Sequence, residues 1–235
     1  MHERSAHSTV SFRYKFSFDN GEKKEFDIVL NESSLEIVSE PQREIPEWAK
    51  LDYFPCENCP LIGKVEYCPV AVNLANFVES FQDIVSYENA TMSVETLERT
   101  YVKETSVQKG LSSVIGIVMV TSNCPVMDEL RPMTRFHLPF ATTQETLFRA
   151  ISYYLTRQYF VMMEGNEPDW KLEKLIEIYK EVSVVNLGIS KRIAQASQKD
   201  ANVNAIVILH SFGDSIGFFI ENGLKEMKYL FEKYL

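Results

Sequence analysis

Apolar and polar residues alternate strictly near the start of this chain. Val10, Phe12, Tyr14, Phe16 and Phe18 take every second position, the period of a strand with one face buried. Asp19-Asn20-Gly21 follows, a turn sequence because Asn-Gly tolerates positive φ. Phe26, Ile28 and Leu30 then alternate, so residues 9–30 are predicted to form a β-hairpin. Arg99, Tyr101, Lys103 and Thr105 alternate with Thr100, Val102 and Glu104. This predicts one further strand within about residues 90–105, extending the hairpin to a small three-stranded antiparallel sheet.

Elsewhere the period changes to that of helices. Ala71, Leu74, Ala75, Val78, Phe81 and Val85 predict a helix from Pro69 to about Ser86, with proline at the first position, where no amide hydrogen is needed. Leu111, Val114, Ile115, Val118 and Met119 predict a buried helix over Val107–Thr121. Its Gly110 and Gly116 weaken that reading and leave a buried strand over 114–120 as the alternative. Thr142-x-x-Glu145 has the form of a capping box and opens a helix to about Glu164. The next runs from about Pro168 to Gln198, with Leu172, Leu175, Ile176, Tyr179, Val182 and Val185 as its apolar stripe and Gly188 as a bend. Its opposite face, from Lys171 to Glu181, is charged and solvated. The last helical region, Ala201–Leu235, begins with Ala205-Ile206-Val207-Ile208-Leu209 and is expected to be the central helix. Residues 36–55, with Pro41, Pro46 and Pro55, read as irregular, and 46–51 as a short turn carrying Trp48 into the core. The predicted class is α+β: an N-terminal hairpin, extended to a small sheet, packed on a mostly helical C-terminal bundle over 142–235, in one domain spanning 1–235.

Composition narrows the partners. The chain carries 33 acidic and 24 basic residues, for a net charge of -9. That balance disfavours a nucleic-acid backbone or an anionic membrane surface. The opening MHERSAHSTVSF has no apolar run after its charges, so no signal peptide is expected. The apolar stretch Ala205–Ile220 is broken by His210 and Asp214, and no membrane span is expected. The expected compartment is the cytoplasm. The expected partner is a protein or a small molecule, and a homo-oligomer stays open.

The cysteines supply the candidate chemistry. Three of the four, Cys56, Cys59 and Cys68, form a Cys-x2-Cys-x8-Cys cluster, and Cys124 follows after fifty-five further residues. Clustered cysteines in a reducing compartment serve metals or redox chemistry more often than disulfides. Two thiolates one turn apart converge on one tetrahedral ion, and the third strengthens that reading. Cysteine precedes proline at Cys59, Cys68 and Cys124. A thiolate placed at a helix N-cap meets free N–H groups and the positive end of the helix dipole; the plain alternative is that Cys-Pro is a convenient turn.

Two further groups have functional and structural readings. The loop RPMTRFHLPFA, residues 131–141, places Arg131, Arg135 and His137 within seven residues of an acidic chain. They form either an anion-binding or catalytic patch, or two local ion pairs and a packed histidine. His210 and Asp214 lie one helical turn apart, either orienting a ligand or making a structural hydrogen bond.

The motifs CENCPL, CPVAVNL, TSNCP and RFHLPFAT resemble an uncharacterised family of bacterial proteins, classed only as a domain of unknown function. The resemblance spans most of the chain and implies no activity. From the residues themselves three readings stand. In the first, Cys56, Cys59, Cys68 and Cys124 hold a structural Zn2+ in a closed four-thiolate site, and the protein binds or regulates a partner; His137 in place of Cys124 would give three cysteines and one histidine. In the second, the same four cysteines hold an iron–sulfur cluster. In the third, Cys124 is a reactive thiol of an enzyme or redox sensor, assisted by Arg131, Arg135 and His137.

Overall fold

In the computed structural model, which describes residues 9–38 and 44–235, the opening alternation becomes β1 (Thr9–Phe18) paired antiparallel with β2 (Lys23–Asn31). Tyr14 faces Phe26 in register, and the even-numbered apolar residues from Phe12 to Phe18 point into the core. Pro41 lies outside the described residues. A 3-10 turn, Glu47–Ala49, leads into the cysteine segment. It buries Ala49, while Trp48 packs partly buried against the core. The first helix, α1 (Pro69–Phe81), starts on proline with Cys68 as its N-cap and ends earlier than its periodicity predicted.

The stretch at 90–105 is not one strand but two. β3 (Asn89–Glu95) and β4 (Thr100–Ser106) form a second antiparallel hairpin, and β3 pairs with β1. The sheet therefore has four strands in the order β2-β1-β3-β4. β4 is an edge strand with mostly exposed residues, so its two polar faces hid the turn that precedes it.

α2 (Val107–Thr121) is a buried helix as its stripe predicted, with Val107, Leu111, Val114, Ile115, Val118 and Met119 fully buried. Gly110 allows it to lie close on the sheet: a Cβ there would sit 1.8 Å from Met92 Sδ. Aromatic rings fill the same layer, Phe16 meeting Phe81 edge-on with centroids 4.9 Å apart and Phe26 tilted against Phe77 at 4.7 Å. Residues Met127–Phe136 wind into 3-10 helix, which takes in the first part of the loop expected over 131–141. α3 (Thr143–Met163) has the predicted capping box at Thr142 and Glu145. α4 (Glu173–Ala196) starts later than expected, because Leu172 before it has φ 64° and turns the chain. α5 (Ala201–Met227) completes the fold and packs chiefly on α4 and α2.

Two expectations about α5 are overturned. The central helix is α2, since α5 leaves Phe218 and Leu224 exposed. His210 and Asp214 also do not interrupt the apolar run. One continuous helix over Ala201–Leu230 is long and apolar enough to cross a membrane by length and composition alone, and 28% of its most apolar 18-residue stretch is buried.

Candidate functional site

The cysteine segment is built by local pairing. Leu51 N–H donates to the Glu66 carbonyl at 2.8 Å, and Cys68 N–H to the Ala49 carbonyl at 2.8 Å. This short ribbon closes a loop over residues 52–65 that carries Cys56 and Cys59. Three side chains fix the loop to α4. Asn58 Nδ2 donates to the Glu181 carbonyl at 3.0 Å and to its carboxylate at 2.7 Å. Cys56 Sγ lies 3.9 Å from the Val185 carbonyl, to which it donates. Arg192, 1% exposed, donates to the carbonyls of Trp48 and Leu51 at 2.8 Å each and to that of Lys50.

All four cysteines line one small cavity of about 20 Å3, with Leu51, Val126, Val185 and Ile189 among its apolar walls. They reach it from three stretches. Cys56 and Cys59 come from the loop, and Cys68 from the start of α1. Cys124 follows Asn123, whose left-handed φ of 60° turns the chain off the end of α2. The N–H groups of Val70 and Ala71 face Cys68 sulfur, and those of Val126 and Met127 face Cys124 sulfur. Cys56, Cys68 and Cys124 are buried, and none of the four is in a disulfide. Burial pushes their thiols up, that of Cys56 to about 12, and the neighbouring sulfurs add to the effect. Arg192 opposes it at Cys56 and Cys68. The sulfurs are not drawn into a ready coordination sphere: among the described residues no three His, Cys, Asp or Glu side chains are grouped to hold a metal ion.

The basic group of residues 131–137 is not assembled around Cys124. Arg131 pairs with Asp128, with Glu36 at 3.4 Å and with the Asn123 amide at 2.8 Å. Arg135 lies 3.6 Å from the Glu32 carboxylate. His137 faces the sheet: its Nε2 is 2.6 Å from Tyr14 Oη and its ring meets Phe12 edge-on. It does not line the cysteine cavity, so it is not placed to substitute for Cys124. His210 turns to Ser183 of α4, with Nδ1 to Oγ at 2.8 Å, rather than to Asp214.

A second cavity, of about 840 Å3, was not legible in the sequence. It is partly open and lies between α2, the 3-10 segment, α3, α4 and α5. Val120, Met127, Leu130, Val182, Leu209 and Phe212 are among its apolar walls. The exposure of Val207 and Ile208 on α5 is exposure to this cavity. Its polar lining includes His137, Ser113, Arg149, Tyr179 and Asn186. Burial, with Arg149 nearby, pulls His137 down to about 3, so the ring is neutral at physiological pH. Burial also lowers Arg149. The two cavities share walls: Val185 and Val126 line the small one, and their neighbours Asn186 and Met127 line the large one.

Comparison with curated proteins and with solved structures gives no match to either. A family profile does match, over residues 12–232, and its description is a domain of unknown function. The span includes most of the hairpin, all four cysteines and both cavities. The chain therefore belongs to the DUF6901 family.

Proposed function

We propose that this chain is a small-molecule-binding protein stapled by zinc, with Cys56, Cys59, Cys68 and Cys124 as the four ligands. The observation that carries the reading is that four cysteines from three separate stretches line one small cavity. The donor set suits zinc, and four thiolates leave no position open for water, so the ion is structural. Bound there, zinc supplies a charge that lets the thiols deprotonate and a cross-link between the loop, α1 and the end of α2. Two thiols already face helix-start N–H groups, which favour sulfur charge.

Cys56, Cys59, Cys68 and Cys124 would hold the ion as thiolates, so its binding would be coupled to proton release. The cavity volume favours a single ion over an iron–sulfur cluster, since about 20 Å3 is roughly the space of one water molecule. The same geometry counts against a reactive Cys124, which is buried, with its thiol pushed up and its basic neighbours paired elsewhere. The binding role falls to the large cavity, whose size is within the roughly 300–1,000 Å3 range of ligand pockets.

The test is metal analysis of protein purified without oxygen. One zinc per chain, no visible colour, and loss of that zinc in each single Cys→Ser variant support the reading. A brown protein with iron and acid-labile sulfide, or a metal-free protein with four titratable thiols, overturns the zinc staple.

A further inference from the structure

Among the described residues, the formally charged side chains that line the large cavity are all basic. The chain has more acidic than basic residues, 33 against 24. Yet Lys103, Lys109 and Arg149 are among the residues that line this cavity, and no aspartate or glutamate is. Arg149 is the informative one. It is partly buried, its guanidinium donates to the Met133 carbonyl at 3.2 Å, and among the described residues it forms no ion pair. Glu145, one turn earlier on α3, acts on it, but that carboxylate is already held by Thr142 N–H at 2.7 Å and Thr142 Oγ1 at 2.9 Å. A desolvated guanidinium without a carboxylate is costly unless an anion completes it.

The other polar groups agree. Lys103 and Arg149 both act on Glu145, which puts them at the same end of the cavity. The start of α3 lies there too, with Thr142, Thr143 and Thr146 in the lining, so the positive end of a 21-residue helix faces the same place. Away from these groups the walls on α5 are Val207, Ile208, Leu209, Phe212 and Phe219. The neutral His137 adds no charge.

We propose that this cavity binds an amphipathic monoanion: a carboxylate held between Lys103, Arg149 and the start of α3, with an apolar chain along α5. The inference rests on the reading of the large cavity as the ligand site and names the ligand's class. Its test is separate from that of the metal.

The experiment is calorimetric titration of the purified full-length protein with three probes of equal chain length: sodium laurate, dodecanol and dodecyltrimethylammonium. The expected result is that laurate binds at least about tenfold more tightly than dodecanol, the size of a charge-assisted hydrogen bond to a partly buried cation, and that the cationic probe binds weakest. Arg149→Met should bring laurate to the affinity of dodecanol and leave dodecanol unchanged. Should that variant fail to fold, Lys103→Gln at an exposed position reads the same loss of preference. Equal affinity for all three probes overturns the selectivity while leaving the cavity a binding site. Failure of all three to bind overturns both this inference and the binding reading beneath it.

Discussion

A side chain at Gly188 would collide with Cys56: a Cβ there would stand 2.5 Å from Cys56 Sγ and 3.2 Å from Cys56 Cα. The glycine in the middle of α4 is therefore a seat for the first cysteine, and it is buried. In an ordinary exposed helix position, replacing glycine by alanine stabilises by about 1 kcal/mol. Here the sign reverses. Gly188→Ala should destabilise by about 1–3 kcal/mol, the usual range for overpacking, and should lower zinc retention, because Cys56 is pushed off its place. Denaturant unfolding of the two proteins, with metal analysis of each, checks both effects. A more stable alanine variant would mean that Cys56 does not sit on α4.

Arg192 joins the cysteine segment to α4 through three carbonyls, those of Trp48, Lys50 and Leu51. Removing the guanidinium strands three backbone acceptors, the Leu51 carbonyl in buried surroundings and those of Trp48 and Lys50 in partly buried ones, each at up to about 1–3 kcal/mol before relaxation. Arg192→Met should therefore lose roughly 3 kcal/mol or more. It should also weaken zinc binding, because the positive charge offsets that of Cys56 and Cys68 as thiolates. Chelator competition on the folded variant measures the second effect. An unchanged zinc affinity would show that Arg192 acts on the backbone alone.

His137 makes stability fall in acid. Its folded pKa is lowered to about 3 by burial and then by Arg149, below the roughly 6.5 of an unfolded histidine. Between those values the unfolded chain binds a proton that the folded chain does not, so stability decreases as pH drops through that window. The loss amounts to roughly a few kcal/mol by about pH 3. Phenylalanine at 137 cannot take up that proton. His137→Phe should lose the bond to Tyr14, costing about 1–3 kcal/mol at pH 7, and should show a flatter pH dependence between about 6.5 and 3. Parallel denaturation curves across that range check it. Identical slopes would rule out His137 as the titrating group.

The hairpin of β1 and β2 was legible because a period of two and Asn20-Gly21 name both strands and their turn. The capping box at Thr142 and the stripe of α2 were legible for the same reason: one local pattern decides one element. β3 and β4 merged in the sequence because the connection between them, Thr96 to Arg99, has no glycine or proline, and Val102 of β4 is exposed. The start of α4 was misplaced because a leucine, Leu172, takes a left-handed conformation that no residue type announces. The cluster of Cys56, Cys59 and Cys68 was legible by spacing; that Cys124 lines the same cavity was not legible from spacing. Arg192, Gly188 and the large cavity were not, because each depends on which distant segments meet.

The two cavities share α4 and the turn after α2, so the staple should also set the shape of the larger one. Stripping the proposed zinc with a chelator is expected to weaken laurate binding, as loosening of α4 disturbs Val182 and Asn186 in the cavity wall. Titration of apo and zinc-loaded protein measures this. Equal laurate affinity in both would mean that the staple and the ligand site are independent.

The most direct test of the four-thiolate site is a cobalt titration of metal-free protein, followed by its visible spectrum. One Co2+ per chain, with the intense bands of a tetrahedral all-thiolate site that weaken in Cys124→Ser, is the expected result. A weak spectrum without sulfur-to-cobalt charge transfer, or one that Cys124→Ser leaves unchanged, would contradict it.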